Sequence, residues 1–151
     1  MRVKFIAEQM TEEQKTRLNV SKNRDTDYSS YFTIGKVYTV IGLTYINEPD
    51  YWTTMLFDLC DDVKNHTSTP SCLFEIIDPR PSVFWRARHN FPNFTLWPSE
   101  FYREFFHDDL SEEKPEIRRV FDIVVDRLTY EFDDATRDLP DPLAWPFEEY
   151  K

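Results

Sequence analysis

The clearest constraint on this chain is a spacing near its C-terminal end. Ile117, Val120, Phe121, Val124, Val125 and Leu128 recur at i, i+3, i+4, i+7, i+8 and i+11, which is one apolar stripe on a helix of 3.6 residues per turn. Pro115 fits the first turn, where a missing N–H costs little, and acidic side chains near the start suit the positive end of the helix dipole. Just upstream, SEFYREFFHDDL repeats the theme: Ser99 is placed to cap a helix in which Phe101, Tyr102, Phe105, Phe106 and Leu110 recur three to four residues apart.

Before Pro98 the pattern is of another kind. Residues 2–7 alternate as an opening strand, and Thr11 with Gln14 has the form of a capping box for a short helix ending near Leu18. Residues 21–30 read as a polar loop. YFTIGKVYTVIGLTYI, residues 31–46, is rich in β-branched and aromatic side chains and predicts one long strand bent at Gly42, or two strands meeting there. Residues 51–59 predict its hairpin partner, 61–70 a polar loop, and 72–77 and 83–89 two further strands. The expected class is therefore α+β: a curled, mostly antiparallel sheet over residues 2–97, packed with C-terminal helices over 99–131.

At 151 residues the chain fits a single domain, 1–151, able to bury a core without staples. The proline-broken tail, 133–151, is expected to dock through Leu143, Trp145, Phe147 and Tyr150. Aromatic residues make up 17% of the chain, so rings are expected to dominate the core. Gly35 and Gly42 are its only glycines, which excludes the glycine-rich loops that cradle phosphates and dinucleotides. The opening MRVKFIAEQMTEEQK has no apolar run of the secretory kind, so a cytoplasmic location without membrane contact is expected. Without export, the sequons at Asn65 and Asn93 read as chance.

Charge is unevenly spread. Residues 1–98 are nearly balanced, whereas 99–151 carry sixteen Asp and Glu against seven Lys and Arg. An acidic face interleaved with aromatic residues suits a basic protein partner and repels nucleic-acid phosphates. The residues expected to carry such contact are Glu104, Asp108, Asp109, Glu112, Glu113, Asp122 and Asp126, with Tyr51 and Trp52 as lesser candidates. A charged helix face can equally serve solubility alone.

Enzyme chemistry finds little footing. His66, His89 and His107 are the only histidines, and His107-Asp108-Asp109 reads as an exposed helix end carrying a histidine favourable to the dipole. Cys60 and Cys72 lack CxxC spacing and read as free thiols packed in strands. The acidic pairs, Asp61-Asp62 among them, read as surface charge, and no metal or cofactor is called for. Arg80, Arg86 and Arg88 near Phe84, Trp85 and Phe91 could stack bases, but pairing with the acidic helices is the simpler expectation.

YFTIGKVYTVIGLTYI, SCLFEIIDPRPSVFW, SEFYREFFHDDL and the long amphipathic helix together resemble, over roughly residues 30–130, the immunity proteins of bacterial contact-dependent inhibition and polymorphic toxin systems. The resemblance lies in layout. It implies a non-enzymatic protein that binds and neutralises a cognate toxin domain, with a basic nuclease as the expected partner. Two alternatives stay open: a small enzyme using an unadvertised carboxylate or thiol, and a structural or adaptor subunit.

Overall fold

A computed structural model describes residues 1–20, 26–48 and 52–133. Tyr51 and the tail beyond Asp133 lie outside the described residues. The order of elements is β1 (Arg2–Phe5), α1 (Glu12–Arg17), β2 (Val37–Glu48), β3 (Trp52–Cys60), β4 (His66–Pro70), β5 (Phe74–Asp78), β6 (Trp85–Asn90), β7 (Asn93–Pro98), α2 (Phe106–Ser111) and α3 (Pro115–Asp133). Every strand pairing is antiparallel. The class is α+β, as the pattern change at Pro98 implies.

The sheet branches at β2. One edge of β2 pairs with β3, which pairs with β4. Along its other edge the first residues, Val37–Thr39, pair with β1 and so with β5, while Leu43–Tyr45 pair with β7 and so with β6. A register shift between Val40 and Gly42 separates the two stretches, at the glycine expected to bend the strand.

That branch point is buried from both sides. Val40 belongs to a cluster built on Val3, Phe5, Phe32, Tyr38 and Phe74, joined by Met10 before α1 and by Leu18, Val20 and Tyr28 after it. Its neighbour Ile41 belongs to a second cluster with Phe101, Phe106, Ile117, Phe121, Val124 and Leu128. Successive strand residues face opposite ways, so two adjacent aliphatic residues tie the sheet to both layers. The stripe on α3 does as its spacing predicts: Ile117, Phe121, Val124 and Leu128 are buried, and Pro115 opens the helix.

Local rules hold at α1, where Thr11 and Gln14 form the reciprocal capping box and Leu18 ends the helix. They give way at several places. Residues 31–36 turn instead of extending, with Gly35 at φ 81°, and the strand begins at Val37. His66–Pro70, expected as loop, is a strand. A single 3-10 turn, Ser71–Leu73, delays β5 to Phe74.

The segment expected as one helix from Ser99 is two pieces. Ser99–Tyr102 is a 3-10 turn without a side-chain cap, and α2 starts only after Phe105 takes a left-handed conformation at φ 58°. The periodicity is satisfied across the break because Phe101, Phe106 and Leu110 all reach the same cluster. No described helix is long and apolar enough to cross a membrane.

Candidate functional site

One line of residues across the sheet defines a cleft on the face covered by α2. Register places Ser68 of β4 beside Asp58 of β3, and Asp58 beside Gly42 of β2. Continuing the pairing Leu43 to Leu96 brings Trp97 of β7 against Gly42. A Cβ on Gly42 would lie 2.6 Å from the Trp97 ring and 3.2 Å from an Asp58 oxygen, so only glycine lets the indole cross the strand to the carboxylate.

Asp58 is 1% exposed, in a strand otherwise apolar at this end. It accepts hydrogen bonds from Thr44 Oγ1 at 2.8 Å, Trp97 Nε1 at 2.8 Å and Ser68 Oγ at 2.5 Å. His66 Nε2 stands 3.5 Å from Oδ1, too far for a good hydrogen bond. Among the described residues no Lys or Arg pairs with Asp58. Burial disfavours its charge, but the approach of His66 and the Ser68 and Thr44 hydroxyls outweigh it and hold the carboxyl below its ordinary range.

The opposite wall is α2. His107 lies 4.9 Å from the His66 ring and 4.8 Å from Trp97, and both of its ring nitrogens are buried without partners. Burial, then repulsion from His66, push its pKa down to about 4, so it is neutral at physiological pH. The cavity between these walls is about 700 Å³, with Ile46, Leu56 and Leu110 as its apolar sides and Glu113 and Arg118 at its mouth. His107 is thus no exposed helix-end histidine. Left-handed Phe105 turns α2 so that Asp108 faces solvent and His107 faces the sheet.

The arrangement is suited to binding more than to nucleophilic attack. A serine activated by histidine donates its hydroxyl hydrogen to the imidazole, but the two cleft serines direct theirs elsewhere: Ser68 to Asp58 and Ser111 to the His107 carbonyl at 2.9 Å. Cys60 is a half-buried free thiol lining a separate groove of about 280 Å³, and burial raises its pKa. Among the described residues no group of three or more His, Cys, Asp or Glu could hold a metal ion.

The acidic residues expected to bind a partner divide into two sets. Asp109 and Glu112 both hold Lys114, at 2.5 and 3.2 Å, and Asp122 holds Arg118 at 3.1 Å. Glu104, Asp108, Glu113 and Asp126 are exposed and make no ion pair among the described residues. Glu113 alone of the seven lines the cleft. Trp52 opens β3 opposite Glu48, far along the sheet from Gly42 and Asp58.

Other expectations change. Asp61 is not surface charge: at 3% exposure it accepts from the Val63 and Asn65 amides and the Thr67 hydroxyl, shaping the turn before β4. Among the described residues the two arginines of β6 do not pair with the acidic helices: Arg86 bonds to backbone carbonyls, and Arg88 lies over the Tyr102 ring. Arg80, ahead of β6, pairs with Asp78 and lies over the Phe132 ring of α3. The pairing runs the other way, from Arg127 of α3 to Glu100 at 2.8 and 3.1 Å and over Phe84.

The cleft residues come from four strands, two helices and the turns beside them, so no linear motif announces them. One signal was available: Asp58 in MLFDLC is a lone carboxylate where strand alternation calls for an inward side chain. No known protein family, curated protein or solved structure matches the chain.

Proposed function

We propose that this chain is a stoichiometric neutraliser of a protein toxin, an immunity protein whose partner is a toxin domain with a basic surface, a nuclease being the expected kind. The observation that carries the reading is the set of carboxylates without ion pairs among the described residues, Glu104, Asp108, Glu113 and Asp126, on α2, α3 and the turns at either end of α2, where both helices bury their other sides in the core. Exposed charge of one sign on a rigid support accelerates encounter with a basic partner, and the layout resemblance points to the same role.

The test uses the toxin domain encoded beside this chain's gene. Purified together, the two form a one-to-one complex, and co-expression protects cells from the toxin. Reversing Glu104, Asp108 and Asp126 to Lys slows association by about tenfold or more at low salt, and the difference shrinks as salt rises. Association rates indifferent to all three reversals at low salt would remove the acidic face from the mechanism. Absence of both complex and protection would remove the function.

A further inference from the structure

The cleft has a chemistry distinct from the acidic outer face, and it identifies what a partner would insert there. A buried carboxylate is normally matched by a fixed cation. Asp58, just beneath the lining residues Thr44, His66, Ser68 and Trp97, has hydroxyl and indole donors instead, with His66 only at 3.5 Å, so no fixed cation among the described residues cancels its negative charge below the cleft floor. The neighbouring imidazole of His107 adds no positive charge at neutral pH and leaves two ring nitrogens unmatched. An unprotonated ring nitrogen accepts a hydrogen bond.

The mouth continues the theme. Glu113 is unpaired among the described residues and borders the opening. Among the described residues the one Lys or Arg there, Arg118, is already engaged: Nε with Asp122 at 3.1 Å, Nη2 with the Lys64 carbonyl at 2.6 Å, and its guanidinium over Phe121. Between mouth and floor the apolar sides, Ile46, Leu56 and Leu110, offer a path for an aliphatic stem.

We propose that this cleft is a receptor for an arginine side chain, its stem along the apolar walls and its guanidinium against the cleft side of the touching Trp97 and His107 rings, with Glu113 closing over it. Arginine fits better than lysine. Its planar head carries five donors and no acceptor, and it stacks on aromatic faces, matching a site that offers acceptors, rings and net negative charge. A cavity of about 700 Å³ has room for the side chain together with neighbouring residues of the loop that presents it. That the arginine belongs to a toxin loop rests on the function proposed above, whereas the receptor itself does not.

The probe is N-acetyl-L-arginine amide, titrated into the full chain and followed by the Trp97 indole N–H resonance, identified by its loss in Trp97→Phe. Saturable shifts with a Kd on the order of 1–10 mM are expected. The uncharged isostere N-acetyl-L-citrulline amide should bind at least about tenfold more weakly, and Glu113→Gln should weaken the arginine probe by about threefold to tenfold. Glu113 is exposed, so this variant leaves the fold intact. No saturable shift, equal response to citrulline, or preference for N-acetyl-L-glutamate amide would overturn the proposal, the last assigning the cleft to anions. Arginine binding without toxin protection would leave the receptor standing and remove the toxin as its source; protection without arginine binding would do the reverse.

Discussion

Trp97 donates its indole N–H to the buried carboxylate of Asp58 at 2.8 Å by passing over a residue that has no side chain, Gly42. The same N–H lies 3.1 Å from Thr44 Oγ1, which itself donates to Asp58. Four strands are therefore joined laterally through side chains as well as through the ladder, with Ser68 closing the row.

Gly42→Ala tests that row. The new methyl group would meet the Trp97 ring at 2.6 Å, so the indole must move and its hydrogen bond to Asp58 is lost. A cost of about 1–3 kcal/mol is expected in urea unfolding. A shifted Trp97 indole resonance should accompany it; an unchanged resonance would show that the strand, not the ring, had yielded.

Acid should weaken the fold before its carboxylates titrate. His107 is held at about 4 against an ordinary 6.5, by burial first and His66 second, with Asp58 and Asp108 opposing. Between those values the unfolded chain binds a proton that the folded chain refuses, so stability is full above pH 6.5 and declines toward pH 4. The loss is at most about 3 kcal/mol. His107→Phe keeps an aromatic ring of similar size and removes two unmatched nitrogens, so its stability should be nearly flat across this window. Parallel slopes for the two proteins would refute the assignment. The further decline below pH 4 should persist in both, since the pKa values of Asp58 and Asp78 are lowered, that of Asp78 to about 2 by Arg80.

Both thiols should react slowly. Burial raises the pKa of Cys60 and of Cys72, which lowers the thiolate fraction at any given pH. Alkylation by iodoacetamide at pH 8 is expected to run at least about tenfold slower than for free cysteine, and urea should restore the ordinary rate. A fast-reacting thiol in the folded protein would reopen the nucleophile question at Cys60.

Glu131 holds the end of α3. It is 9% exposed and accepts from Ser82 Oγ at 2.6 Å and from the Val83 amide at 2.9 Å. Glu131→Ala deprives the buried Ser82 hydroxyl and the part-buried Val83 amide of that acceptor, at a cost of about 1–3 kcal/mol. Hydrogen exchange should quicken in the last turn of α3 more than in its first.

Much of the scaffold could be read directly because it rests on repetition. The α3 stripe, the Thr11–Gln14 box and the bend at Gly42 each follow from side chains close together in sequence. The misreadings share another cause. HTSTP looks like a loop because its polar side chains satisfy Asp58 and Asp61 within the sheet instead of facing water. SEFYREFFHDDL looks like one helix because Phe101, Phe106 and Leu110 reach one cluster, while the conformation of Phe105 that breaks it leaves no mark on periodicity. The cleft depends on register between distant strands, and the acidic residues chosen for charge alone met it only at Glu113.

A last consequence lies in how α3 is fastened. Arg118 ties its beginning to the Lys64 carbonyl, Arg127 its middle to Glu100, and Glu131 its end to Ser82 and Val83. A helix advances by about 100° per residue, so three bearings on three separate segments stop it from rolling. Its outward carboxylates work as a stencil and not as a brush. Whatever approaches that surface meets charge at set intervals, and selectivity there is a matter of matching the intervals, not the total.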